Sequence, residues 1–327
     1  MRLAVIGLGA MGWNHVRVAK ELGALSVVAD MSAEARARAE RLHGVPAVAD
    51  QAAAFALADA VVIATPTSTH VELALAAIAA GKHVLVEKPL ADTRHHAVRI
   101  VDAAHEAGVV LAVGHIERHN PVVAYAKKAL QGDDVGKLLT MTARRVSSYP
   151  GRIRDVGCIL DIGIHEMDIA RYLAGSEATS VHALAGSSRT DGREDHAVIQ
   201  LGFANGVAAS IETNWLTPMR VRKNTLTCTE GMLELDYMAQ SARLSRSQFT
   251  DTSDPAKYAP DLEYDAREIV LRRQEPLRNE LEDFLGAAQR NRAPLVGGKD
   301  GLQALRIAEA ALESVRSGRS IHLDPHP

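Results

Sequence analysis

The segment "VGCILDIGIHEMDIARYL", residues 156–173, sets Asp161, His165 and Asp168 among apolar residues. The offsets are i, i+4 and i+7, so a helix here carries all three on one face. Carboxylates are seldom buried without partners, so this face either lines a cleft or knits a hydrogen-bonded cluster. An imidazole titrates near neutrality and suits general-base chemistry, which makes His165 the candidate base. Asp161, one turn earlier, is set to orient the imidazole or to bind a neighbouring hydroxyl, and Asp168 to pack the helix or to support the site residues from behind. Near the chain start, "GLGAMG" puts Gly7, Gly9 and Gly12 in GxGxxG spacing, with Ala10 and Met11 between the last two. Further on, "EKP" holds Glu87, Lys88 and Pro89 after an apolar run. An ammonium there can stabilise charge developing on a substrate oxygen.

These residues need elements to position them. "RLAVIGLG" reads as a buried strand and "WNHVRVAKELG" as the helix after it. In that setting Gly7 permits the tight turn, Gly9 lets the backbone approach a pyrophosphate, and Gly12 allows close helix–strand packing. The phosphates then sit at the helix N-terminus. The second strand, "LSVVAD", ends in Asp30, which can accept bonds from ribose hydroxyls and would repel a 2′-phosphate. Met31 and Ser32 follow it, with no Arg, so NAD is expected rather than NADP. Strands three to five are "AVVIATP", "HVLVEKP" and "VVLAVGH". Ligands gather outside the carboxyl ends of such strands, which adds Thr65, Pro66, His70, Glu87 and Lys88 to the cofactor-facing candidates.

The predicted fold is α/β: a doubly wound parallel Rossmann sheet over residues 1–120, then an α+β domain with an open, mostly antiparallel sheet over 121–327. In the second part, "KLLTMTARRVSSY", "SVHALAGSS", "HAVIQLGFA", "GVAASIETNWL", "VRKNTLTCTE" and "MLELDY" read as strands, with the Asp–His helix inserted among them. Two closing helices, "PLRNELEDFLGAAQRN" and "KDGLQALRIAEAALESVRSG", have the option of packing back on the first domain.

Composition excludes several function classes. The 327 residues carry a net charge of -3 and no basic tract, which argues against nucleic-acid binding. The two cysteines, Cys158 and Cys228, are too far apart for a CxxC site and too few for a disulfide framework. No apolar run approaches the roughly 20 residues that span a bilayer, and glycines break the N-terminal one, so a cytoplasmic protein is expected. No His/Cys/Asp spacing resembles a metal site, and none is expected. His95 and His96 read as surface residues, whereas His15 lies either near the cofactor or on a helix surface.

Taken in order, "GLGAMG", "ATPTSTH", "EKP", "DIGIHEMDI" and "LQALRIAEAALESVRSG" resemble the glucose-fructose oxidoreductase / inositol dehydrogenase / MocA-like family along the whole chain. The resemblance implies NAD(P)-linked oxidation of a sugar or cyclitol, with Lys88 and the pair Asp161 and His165 at the catalytic positions. It also implies a homodimer or homotetramer packed through the open sheet. The chain departs from the family in one respect: only Gly157 remains of the glycines before Asp161. A narrower resemblance, in "VGHIERHNP" and "ARRVSSYPGRIRDVG", is to the branch that oxidises C3 of UDP-N-acetylglucosamine or its uronic acid. Arg144, Arg145, Arg152 and Arg154 would then serve a diphosphate, which guanidinium forks match. Alternate strand residues face opposite ways, which favours Arg152 and Arg154 in the Pro/Gly loop. Glu117, Arg118 and Asn120 carry over as further substrate contacts. The competing readings are an inositol or free-sugar dehydrogenase and a non-catalytic NAD-binding sensor.

Overall fold

A computed structural model describes residues 1–132, 134–151, 156–189, 192–251 and 261–324. The chain divides into two compact units, Met1–His119 with Gln274–Arg306, and Asn120–Arg273 with Ile307–Pro327.

In the first unit, short apolar runs alternate with helices, as a sheet buried on both faces requires. The elements are β1 (Leu3–Ile6), α1 (Ala10–Glu21), β2 (Leu25–Ala29), α2 (Ala33–His43), β3 (Ala47–Val48), α3 (Gln51–Ala56), β4 (Ala60–Ile63), α4 (His70–Ala79), β5 (His83–Glu87), α5 (Arg94–Glu106) and β6 (Leu111–Gly114). All six strands run parallel in the order β3-β2-β1-β4-β5-β6. Every residue of β1 and β4 is buried. The order reverses direction beside β1, the position at which such sheets open a crevice for a ligand. Five of these strands were legible as apolar runs; β3 and α3 were not, because two residues of strand leave no periodicity to read.

The second unit holds α6 (Pro121–Gln131), β7 (Leu138–Val146), α7 (Ile164–Ala174), β8 (Ala178–Gly186), β9 (His196–Phe203), β10 (Ala208–Asn214), β11 (Val221–Cys228), β12 (Met232–Asp236), β13 (Ser241–Asp251) and β14 (Asp261–Ile269). The chain then returns to the first unit with α8 (Pro276–Arg290), which packs on α1 and brings Leu277, Leu281 and Phe284 into a core with Leu3, Val5 and Val16. Each such side chain contributes roughly 1.5–3 kcal/mol on burial. Helix α9 (Gly298–Ser317) spans the boundary of the two units, and β15 (Ile321–His322) ends the second.

The nine strands of the second unit lie in the order β14-β13-β12-β11-β7-β10-β9-β8-β15. All neighbours are antiparallel except β7 and β10. In β9, Ala197, Ile199, Leu201 and Phe203 point into the core while His196, Val198 and Gln200 are exposed. That alternation is what a sheet with one covered face imposes. Helices α6 and α7 pack on each other, and α7 also packs on β7 and β10.

Candidate active site

The glycine turn between β1 and α1 is built as the spacing predicted. Gly7 has a φ of +90°, and a Cβ there would lie 2.7 Å from Thr65 Cγ2 and 2.8 Å from the Ala64 carbonyl oxygen. A Cβ on Gly12 would fall 1.8 Å from the Gly7 carbonyl oxygen, so α1 sits directly against the turn. Gly9 differs: a Cβ there meets nothing within 4 Å. As the N-cap of α1 it also offers no side chain to the first helical N–H groups. A helix start left uncapped beside open space is an anion site in waiting. Ala10 and Met11 form its first turn.

Asp30 follows β2 beside this turn. Its Oδ2 accepts the Leu8 N–H at 2.6 Å and its Oδ1 the Ser32 N–H at 2.8 Å. The carboxylate is thereby fixed next to the glycine turn, with lone pairs left for ribose hydroxyls. A guanidinium is present as well: Arg36 donates to the carbonyls of Asp30 and Met31 at 2.7 and 3.0 Å. Arg36 lies beyond the two positions that follow Asp30, and the first turn of α2 brings it back to the strand end. Gly9, the bare helix start and Asp30 fit a dinucleotide.

The other strand ends are less uniform. Thr65 is half-buried and Pro66 exposed; the Thr65 hydroxyl accepts from the Thr69 hydroxyl at 2.7 Å. His70 is buried, and its two ring nitrogens lie 3.0 Å from the carbonyls of Pro89 and Thr65. The ring clamps two loops together, so its influence on a cofactor runs through their backbone. Burial holds the imidazole below its ordinary pKa, outweighing the hydrogen bonds to both loops. Glu87 corrects the expectation of a crevice-facing carboxylate: it turns inward, where His15 Nε2–H donates to its Oε1 at 2.8 Å. Burial pushes the Glu87 carboxyl up, but the His15 bond and the charges of His15 and Lys88 more than offset it, leaving it below the usual range. His15, likewise, is not on a helix surface but wholly buried. Lys88 is half-buried at the end of β5, its backbone N–H bonded to Glu87 Oε2 at 3.2 Å.

In the second unit, the Asp–His segment is helical but not one plain α-helix. Ile159–Gly163 forms a π-helical turn that runs into α7. The wide i→i+5 turn breaks the α-helical phase between Asp161 and His165, and such turns concentrate at functional sites. Asp161 is half-buried, while His165 and Asp168 are buried. Glu194 caps the start from a distant loop: its carbonyl accepts the Cys158 N–H at 2.9 Å and its Oε1 the Ile159 N–H at 3.2 Å. A Cβ on Gly157 would lie 2.1 Å from that carboxyl group, which accounts for the glycine kept there. Gly175, in the left-handed conformation, ends α7.

Behind α7, Arg145 donates to Glu166 Oε1 at 3.0 Å, and the Tyr237 hydroxyl donates to Oε2 at 3.3 Å. Both charged groups are buried. This ion pair pins α7 to β7, and no spacing in the sequence marks Glu166 as the partner of Arg145. Arg144, on the other face of β7, pairs with Glu212. Arg118 and Asn120 are corrected too. Arg118 is buried against Asp300 at 3.1 Å. Asn120 caps α6 by accepting the Val122 N–H and donates to the Tyr237 carbonyl oxygen at 3.1 Å. Glu117 is buried as well. Arg118 and Asn120 are thus engaged inside their own units. Arg152 and Arg154 lie outside the described residues.

Comparison with known proteins agrees with this architecture. Residues 1–115 match a model of an oxidoreductase family with an NAD-binding Rossmann fold, and residues 123–234 match the GFO/IDH/MocA C-terminal domain. The chain is 30% identical over 316 residues to a UDP-N-acetylglucosamine 3-dehydrogenase of Acidithiobacillus ferrooxidans, covering 96% of each chain. It is 30% identical over 347 residues to an inositol 2-dehydrogenase of Saccharopolyspora erythraea, covering 100% of this chain and 97% of the relative. A solved structure of the Acidithiobacillus enzyme superposes with a TM-score of 0.88 at 28% identity, covering 97% of this chain and 98% of that one.

Proposed function

The chain belongs to the GFO/IDH/MocA family of oxidoreductases, and on that premise we propose that it oxidises a secondary hydroxyl of a UDP-sugar, C3 of UDP-N-acetylglucosamine foremost. The observation that carries the dehydrogenase reading is the open, uncapped α1 start beside Asp30, on the unit that also bears Lys88. Gly9, Ala10, Met11 and Asp30 would hold the dinucleotide, with Thr65 and Pro66 at the next strand end. Bound NAD supplies the hydride acceptor. NAD is favoured over NADP because Asp30 is anionic and Arg36 already serves two backbone carbonyls; a 2′-phosphate would meet the carboxylate first.

In this reading His165 is the base that takes the hydroxyl proton, and Lys88 a donor that stabilises charge developing on a substrate oxygen. Asp161 orients the imidazole or holds a neighbouring hydroxyl. A positioned base of this kind contributes roughly 10²- to 10⁴-fold. The UDP-sugar is supported by the full-length likeness to the Acidithiobacillus enzyme. A cyclitol is the second reading, favoured by the equal identity to the inositol dehydrogenase. Arg144 and Arg145 lend the diphosphate no support, since each is committed to a carboxylate. That recognition would fall to Arg152 and Arg154. We also assign to the open face of the nine-stranded sheet a homodimer or homotetramer contact.

NADH formation measured against UDP-N-acetylglucosamine, its uronic acid, glucose and myo-inositol tests this reading. Turnover of the UDP-sugars alone is expected, with Arg154→Ala raising KM. Turnover of myo-inositol alone overturns the substrate assignment. Unchanged kcat in Lys88→Ala, or NAD binding without turnover of any polyol, overturns the mechanism.

A further inference from the structure

Three buried side chains of the first unit have no part in this chemistry. His15 on α1, Glu87 at the end of β5 and Glu280 on α8 are 0%, 7% and 2% exposed. One ligand-capable atom of each lies within 4.8 Å of the other two. Glu87 is hydrogen-bonded, to His15 and to the Lys88 N–H. Glu280 is not: among the described residues neither of its oxygens has a hydrogen-bond partner, and neither does His15 Nδ1. Burial, then the negative charges of Glu87 and Asp283, push the Glu280 carboxyl well above the ordinary carboxylate range.

An interior carboxyl with no donor is expensive, and a well-packed apolar residue would serve the core better. A proton would neutralise Glu280, but among the described residues no group stands within hydrogen-bond distance of either of its oxygens. A divalent cation gives the Glu280 oxygens a partner and the two carboxylates a counter-charge. One imidazole nitrogen and two carboxylate oxygens form a donor set for ions of the zinc and manganese class, and the two negative charges balance the ion. Bond lengths of about 2.0–2.2 Å to such donors fit inside a 4.8 Å envelope.

We propose that His15, Glu87 and Glu280 bind a divalent transition-metal ion in the interior of the first unit. The ion ties α1, which opens at the glycine turn, to α8 and to the strand end that carries Lys88. It is a structural strut inside the first unit. Residues from positions 15, 87 and 280 carry no motif spacing, which is why sequence alone showed no metal site.

The test uses the full chain, stripped with chelator and then titrated with Zn²⁺ or Mn²⁺. Metal content after desalting and the thermal midpoint are the readouts, and neither depends on the dehydrogenase reading. A single tightly held ion per chain and a raised midpoint are expected. Glu280→Gln should weaken binding by more than the roughly 10- to 100-fold that loss of an orienting partner costs. Should Glu280→Gln fail to fold, uptake of Co²⁺ by the unmodified chain, with its visible ligand-field bands, reads the same donor set. Two results overturn the proposal: no ion retained by the unmodified chain, with Glu280→Gln as stable as the parent, which assigns Glu280 a proton; or equal metal uptake by both, which puts the ions elsewhere.

Discussion

Gly12 and Gly9 stand three residues apart and obey opposite constraints. The methyl group of Gly12→Ala would meet the Gly7 carbonyl oxygen, which is backbone and has nowhere to go. That variant should lose on the order of 1–3 kcal/mol or more, the usual range for overpacking, as read by urea unfolding. Gly9→Ala enters open space at an ordinary φ of -70°. It should keep its thermal midpoint yet weaken NAD binding by calorimetry. A Gly9→Ala chain with parental NAD affinity would remove the pyrophosphate from this turn. His70 makes a pH argument at the same scale. Its pKa lies below the unfolded value of 6.5 because burial disfavours the charged ring, so the folded state binds fewer protons than the unfolded one. Stability is therefore present above pH 6.5 and falls as pH drops through it. Unfolding midpoints of His70→Gln, followed downward from neutral pH, should show a shallower decline than those of the parent. An identical slope would place the titration on another group.

At the scale of elements, the helix bearing Asp161 and His165 is held from both ends and from behind. Glu194 caps its start, Gly175 ends it, and the Arg145–Glu166 pair fixes its inner face to β7. Arg145→Met alone leaves the Glu166 carboxylate buried without its cation and should cost about 3–5 kcal/mol. The double variant Arg145→Met, Glu166→Met should recover most of that in urea unfolding, since replacing both partners removes the stranded charge. If the double variant is as unstable as the single one, the pair is not what anchors α7. Sequence patterning placed this helix correctly but not its π turn. The turn begins on hydrogen bonds to Glu194, far away in sequence, and such a partner leaves no mark on apolar periodicity.

At the scale of the molecule, one face of the nine-stranded sheet carries apolar residues that are exposed among the described ones. Leu184 and Val198 are directly paired across β8 and β9, and are 66% and 45% exposed. Bare apolar patches on a sheet mark contact surfaces, and a twofold assembly would cover such a patch with its own copy. Leu184→Glu with Val198→Glu should shift the mass measured by light scattering to that of a monomer, with the circular dichroism spectrum unchanged. An unmodified chain that is already monomeric would remove the assembly altogether.

The sequence alone determined the parallel sheet, the glycine turn with its acidic partner, the lysine at the end of β5 and the one-faced sheet that follows. Each of these is written in a local pattern: an apolar run, a fixed spacing or a strict alternation. Tertiary structure alone decided where the polar side chains went. Glu87, Arg118, Asn120 and Arg145 all looked like groups reaching for a ligand, and each is instead spent on a partner inside its own unit. Those partners are His15, Asp300, Tyr237 and Glu166, from 21 to 182 positions away along the chain. A buried charge must find its counterpart wherever folding brings one, and spacing along the chain carries no record of that meeting.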